Sequence, residues 1–179
     1  HLALRGVDLE LRAGEIVAVA GVDGNGQAEL SEVVAGLRPL ASGSVERAPG
    51  LSSRAALAFV PADRRQALCP GLTVEENLAL GRHREPPFAR GPWIDLAGRR
   101  EATRRLLAGH EVRPAEPLAP AADLSGGNQQ KLVVARELEA APSPPRLVVA
   151  VQPTRGLDLA ASAAVHRRLA AARDRGAAV

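Results

Sequence analysis

A short apolar run, IVAVA (Ile16 to Ala20), passes directly into the glycine-rich stretch GVDGNGQAEL, Gly21 to Leu30. Leu30, Val33, Val34 and Leu37 then recur at i, i+3, i+4 and i+7, which places them on one helix face. The apolar run reads as a buried, parallel strand, so the unit is strand, glycine loop, helix. In such a unit successive backbone N–H groups turn into one concavity at a helix N-terminus, where the helix dipole also favours an anion. Gly21, Gly24 and Gly26 let the backbone take that path, and Asn25 tolerates it. A complete phosphate loop, G-x-x-x-x-G-K-[ST], also needs a lysine for the β and γ phosphates and a hydroxyl for magnesium. Those slots hold Gln27 and Ala28. Alone, the stretch is compatible with phosphate binding through its backbone and also with a glycine turn kept for packing.

Composition narrows the setting. With 179 residues and 46% hydrophobic content the chain suffices for one domain with a core and is too short for two large ones. No apolar run approaches the ~18 to 20 residues of a membrane helix, and no charged-then-apolar leader opens the chain, which predicts a soluble, cytosolic protein. The single cysteine, Cys69, excludes an internal disulfide and reads as a small loop residue. The net charge is +3 with a pI near 10.3. Basic residues alternate with acidic ones and aromatics are only 2%, so no nucleic-acid partner is expected. Lys131 is the only lysine, and no other can replace the one missing from the glycine loop.

Further elements follow from pattern. VDLEL alternates like a half-buried strand, and Ala13-Gly14 is a turn. ALAFV (Ala56 to Val60) reads as a buried strand halted by Pro61. Thr73 and Glu76 form a T-x-x-E capping box that starts a helix. The segment from Arg82 to Trp93 is too rich in proline and charge for regular structure and reads as a surface loop suited to a partner. A short helix is expected over Arg99 to Ala108, followed by the proline-spaced connector VRPAEPLAPAAD. Ser125 can cap a helix carrying Leu132, Val133 and Leu138. RLVVAV (Arg146 to Val151) reads as a buried strand, QPTRGLD as a tight loop, and a last helix runs to a final AAV that starts another strand. Strands and helices alternate, which argues α/β. Both ends are expected to be cut short.

Three stretches carry a family resemblance. LSGGNQQK, Leu124 to Lys131, resembles the signature motif of ATP-binding cassette (ABC) proteins, and it stands after the glycine loop and before a buried strand, in the family's order. The plain alternative makes Ser125 a cap and the glycines a turn. LVVAVQPTRGLD resembles a Walker B strand in which the slots for a magnesium-binding aspartate and a water-polarising glutamate hold Val151 and Gln152. Gly156, Leu157 and Asp158 resemble the D-loop, although Asp158 also suits the N-cap of the final helix. At the slot of the family's Q-loop glutamine stands Ala62 or Pro61, with Gln66 nearby. GVDGNGQ, LSGGNQQK and QPTRGLD together are similar to the second cassette of fused sugar and purine-nucleoside importer ATPases, over nearly the whole chain.

The resemblance implies a P-loop NTPase core with a mainly parallel sheet, residues 1–71 and 141–179, and a helical signature subdomain, about 72–140. It implies cassettes paired head to tail, each ATP held between one P-loop and the other's signature. Ser125, Gly126, Gly127 and Asp158 would act in trans, and Gly21, Gly24, Asn25, Gly26, Gln27, Ala28 and Gln129 would line nucleotide. Implied cofactors are ATP and, at the composite site, Mg2+; no metal ligand is expected in this chain. Implied partners are a first cassette of the same longer chain, membrane permease subunits and, indirectly, a solute-binding protein, on the cytoplasmic face of the cell membrane. The shortened ends would remove an adenine-stacking aromatic and a histidine switch. Rival readings are a soluble ABC protein of repair or translation, which would keep both Walker motifs and carry basic arms, and a purely structural or regulatory cassette.

Overall fold

A computed structural model describes residues 4–51 and 56–179; residues 1–3 and 52–55 of the expected core lie outside them. The elements run α1 (Gln27–Ala35), β1 (Leu57–Val60), α2 (Val74–Ala79), β2 (Ala89–Arg90), β3 (Trp93–Ile94), α3 (Leu96–Gly109), α4 (Gly126–Glu139), β4 (Leu147–Ala150) and α5 (Leu159–Asp174). Strands β1 and β4 pair in parallel, with Leu57 opposite Leu147 and Val60 opposite Ala150. On the far side of β4, Val148 N–H donates to Ala178 O at 2.8 Å, and Val17 N–H donates to Val179 O at 2.8 Å. The parallel order is therefore β1, β4, the end of the chain, and the segment before the glycine loop. Helices lie between the strands, as parallel connections require.

That last position corrects one expectation. Ile16–Ala20 is not a buried strand: it joins the sheet only near Glu15 and Val17, and Ile16 and Val19 are 45% and 57% exposed. Val7 and Leu9, expected on a half-buried strand, are exposed and irregular as well. An apolar run reports strand tendency, whereas burial needs a neighbour to cover it, and the described residues offer little cover at this edge. Leu37 also leaves the helix face, because Gly36 ends α1 in the left-handed conformation and Leu37 stays 63% exposed.

The core gathers around α4. Leu132, Val133, Val134, Ala135 and Leu138 are all buried, and they meet Ala58 and Val60 of β1, Leu78 of α2, Leu107 of α3 and Val165 of α5. Every residue of α4 from Leu132 to Leu138 is buried, Arg136 and Glu137 included, so this stretch is covered on all sides. Two buried polar residues join its layers. Asn77 donates to the carbonyls of Cys69, Leu72 and Thr73 and accepts from Cys69 N–H at 2.8 Å. Arg136 donates to Ala67 O at 2.6 Å and, through Nε, to Glu137 Oε1 at 2.9 Å. Between α2 and α3 the buried Glu75 carboxylate takes Arg99 Nη2 at 2.7 Å and Arg100 Nε at 3.2 Å. The Thr73–Glu76 capping box forms as expected.

The Arg82–Trp93 segment is more ordered than its composition predicts. Phe88, its one large apolar side chain before Trp93, is 1% exposed, and β2 and β3 close an antiparallel hairpin beside it. Asp95 accepts from Gly98 N–H at 2.8 Å and pairs with Arg90, so α3 starts at Leu96 rather than Arg99. Trp93 and Ile94 remain 77% and 57% exposed on the hairpin.

Where α3, α4 and α5 approach one another, Glu139 is held well below the usual carboxylate range, at about 2, first by a side-chain contact with His110 and then by Arg168. His110 Nε2 lies 3.2 Å from Glu139 Oε2, close although poorly aligned, and Arg168 Nη1 pairs with Oε1. A carboxylate with a depressed folded pKa contributes stability above its ordinary value of 4.5, and that stability is lost as pH falls through about 2. Because Glu139 is 36% exposed, solvent screening limits the gain to about 1 kcal/mol. Acid unfolding of Glu139→Gln is therefore expected to begin at higher pH than that of the parent, with the two stabilities converging near pH 2. Denaturant melts between pH 2 and pH 5 test this, and parallel curves would refute the role of the ion pair.

Candidate functional site

The glycine loop enters α1 through Gly24 and Gly26, at φ +92° and +96°, a backbone path costly for side-chain-bearing residues. No side chain caps α1. Gln27, on its first turn, folds back over the loop. Its Nε2 donates to Val22 O at 3.0 Å and lies so near Gly21 that a Cβ added there would be 2.1 Å away. The amide thus lies against Gly21 and is engaged with one of the loop's own carbonyls. Asn25 and Ala28 are exposed.

A second contact reaches this loop from the segment just after β4. Gln152 has φ +46°, unusual for a residue with a side chain, and its Nε2 donates to Asp23 Oδ1 at 3.0 Å. Arg155 Nη1 donates to Gln152 Oε1 at 3.3 Å. Left-handed backbone at a non-glycine residue costs about 1 to 3 kcal/mol, and such strain collects at functional sites. Among the described residues no group of three His, Cys, Asp or Glu side chains is placed to hold a metal ion. Beside the glycine loop Gln27 and Ala28 bring neither a carboxylate nor a hydroxyl, and the Asp23 carboxylate is engaged with Gln152 Nε2.

The other candidate residues stand at the start of α4. Ser125 is its N-cap: Oγ accepts from Asn128 Nδ2 at 3.0 Å and, more weakly, from Asn128 N–H at 3.4 Å. Asn128 Oδ1 in turn accepts from Arg113 N–H at 2.9 Å. Ser125 is exposed, and the first-turn N–H groups of Gly126 and Gly127 belong to those a helix cannot satisfy internally. Gln129 is held at both ends: Nε2 donates to Ala121 O at 3.0 Å, and Oε1 accepts from Arg64 Nε at 2.9 Å. Lys131 donates to Glu111 O at 3.1 Å.

The QPTRGLD loop touches both sites. Besides the Gln152–Asp23 bond, Pro153 O accepts from Gln130 Nε2 of α4 at 3.0 Å, and Leu157 packs beside Gly127. Asp158 Oδ1 accepts from Ala161 N–H at 2.8 Å and caps α5, where the exposed Leu159 follows. Among the described residues no hydrogen bond joins Ser125, Gly126 or Gly127 to the Gly21–Ala28 loop. Sequence reasoning missed Arg64, Asp23 and Asn128 as parts of these sites; the Asp63-Arg64 pair beside the Q-loop slot was the available signal.

The family profile described as "ABC transporter" matches residues 4–144. This chain belongs to the ABC transporter family. The cassette is 41% identical over 99% of its length to the nucleoside import ATP-binding protein NupA of Lactococcus lactis subsp. cremoris, covering 36% of that protein. It is 36% identical over 98% of its length to the guanosine import ATP-binding protein NupO of Bacillus subtilis, again covering 36% of the relative. The cassette thus spans about a third of the length of these curated relatives. Among solved structures, the ATP-binding cassette MJ0796, described as a dimeric post-hydrolysis state bound to ADP and Pi, superposes with a TM-score of 0.79 at 24% identity over 97% of this chain and 75% of that one. The fold is that of an ABC ATPase, with parallel strands and helices as the sequence predicts. Among the described residues no helix is long and apolar enough to cross a membrane.

Proposed function

We propose that this cassette works as one half of a pair, presenting Ser125, Gly126 and Gly127 to an ATP held by the complete P-loop of a partner, while its own glycine loop hydrolyses nothing. The single observation that carries the reading is the contrast between the two sites: Ser125 is exposed at the start of α4, whereas Gln27 is folded into its own loop. Neutral donors at a helix N-terminus suit a phosphate whose charge is already balanced by a partner's lysine and magnesium. Asp158 would cross between the halves while still capping α5, and Leu159, 88% exposed, gives that face an apolar contact. Gly21, Gly24, Asn25, Gly26, Gln27 and Ala28 would hold nucleotide weakly, through backbone groups. Gln129 supports the donor face from behind. The segment from about 72 to 140 is the unit that carries the signature.

By the names of its relatives, the pair would drive import of a nucleoside or sugar, with membrane permease subunits and a solute-binding protein as partners and the cassette on the inner face of the membrane. The exposed Trp93–Ile94 hairpin is available for the permease. The cassette alone is expected to release no measurable phosphate from ATP, and mixing it with a partner cassette of intact P-loop is expected to give turnover. Magnesium-dependent hydrolysis by the isolated cassette would reject the proposal.

A further inference from the structure

Arg64 occupies a position that folding alone does not favour. It lies in the 3-10 turn Arg64–Gln66 just after β1, a turn capped by Asp63, whose carboxylate accepts from Arg65 N–H at 3.0 Å and pairs with Arg65 Nε. The Asp63 charge is thereby directed to Arg65. Arg64 reaches instead to the first residue of α4. A Cβ added at Gly126 would stand 2.6 Å from Nη2 and 3.0 Å from Cζ, so glycine is what lets the guanidinium lie against the helix start. Nε donates to Gln129 Oε1 at 2.9 Å, and Gln129 is itself anchored on Ala121 O. Among the described residues no carboxylate forms an ion pair with Arg64, and no hydrogen bond to its Nη atoms occurs.

A helix N-terminus carries partial positive charge, so a cation beside it lowers stability, and arginine is favoured at the opposite end. Here the chain holds an arginine at the unfavourable end, through a doubly anchored glutamine, while the neighbouring Asp63 carboxylate, which also feels the Arg64 charge, makes its hydrogen bonds with Arg65. The missing component of such an arrangement is an anion. We propose that Arg64 is the cationic contact to the terminal phosphate of the nucleoside triphosphate presented to Ser125–Gly127. This inference rests on the paired reading given above. It adds one charge-assisted contact to the neutral donors of LSGGNQQK, and it assigns Gln129 the task of orienting the guanidinium. Arginine suits that task because its planar fork can serve Gln129 through Nε and leave both Nη groups for phosphate oxygens.

The test uses the full-length protein, assayed for phosphate release, with orthovanadate inhibition as a second readout of the transferred phosphate's site. Arg64→Gln is expected to lower kcat about 10- to 100-fold, as loss of one charge-assisted phosphate contact should. It is expected to weaken inhibition by vanadate and to leave the melting temperature unchanged or raised. Arg64→Lys is expected to recover part of the rate. Ser125→Arg in the same protein separates the two levels of inference. If it abolishes turnover while Arg64→Gln keeps the parental kcat and vanadate sensitivity, the role of Arg64 is overturned and the paired reading stands. If Ser125→Arg leaves turnover intact, the paired reading fails, and the phosphate role of Arg64 with it. A lower melting temperature with Arg64→Gln and no recovery by lysine would make Arg64 a structural residue and overturn the proposal.

Discussion

Replacing Ser125 by arginine in the paired cassettes is expected to cut ATP turnover by at least about 100-fold, the usual consequence of losing one preorganised donor around developing charge. The substitution does more than remove a hydroxyl. The new side chain would start beside Gly126, against which the Arg64 guanidinium already lies, and would crowd the exposed first-turn N–H groups with a second cation. The fold should tolerate it. Among the described residues Ser125 Oγ accepts only from Asn128, so its loss is that of one N-cap, about 1 kcal/mol. Phosphate release and a thermal melt measured on the same preparation decide the matter: a lost rate with a retained melt supports the donor role, and an unchanged rate removes the signature from the reaction.

The largest effect on stability is expected at Asn77. Its carboxamide is fully buried, with the two Nδ2 hydrogens shared among three carbonyls and Oδ1 accepting from Cys69 N–H. Leu72 O and Thr73 O retain other donors, from Ala121 and from Asn77's own N–H. Cys69 N–H loses its acceptor in Asn77→Ala, and a small void opens between α2 and the preceding turn. An unsatisfied buried donor plus the lost bonds amounts to about 3 kcal/mol. For a domain of this size that is a fall of about 6 to 12 °C in melting temperature. Asn77→Asp keeps the acceptor for Cys69 N–H but sets a carboxylate against three carbonyls, so it should be no better tolerated. An unchanged melt in the alanine variant would mean that the turn closes without the side chain.

What the sequence disclosed was mostly local. The Thr73–Glu76 box, the Ser125 cap and the apolar runs of β1 and β4 are each settled by neighbours a few residues apart, and they appear where expected. The segment Ile16–Ala20 shows the limit, since its burial depends on what lies over it, a property not written in its own letters. Phe88 shows the reverse, one aromatic ring drawing a proline-rich stretch into the core. The candidate sites were legible as motifs and illegible as assemblies. Gln152 and Asp23 are separated by 129 positions and Arg64 and Gln129 by 65, so only the fold brings them together.

The strained turn at Gln152 has a mechanical consequence. One end of the QPTRGLD strap is fastened to Asp23 in the glycine loop, and its next residue, Pro153, is fastened to Gln130 in α4. Anything that displaces Asp23 must either drag the helix bearing Ser125 along or snap one of two hydrogen bonds. In the paired arrangement proposed above, this strap would act as a tensioner between the glycine loop and the face that Ser125 turns to a partner.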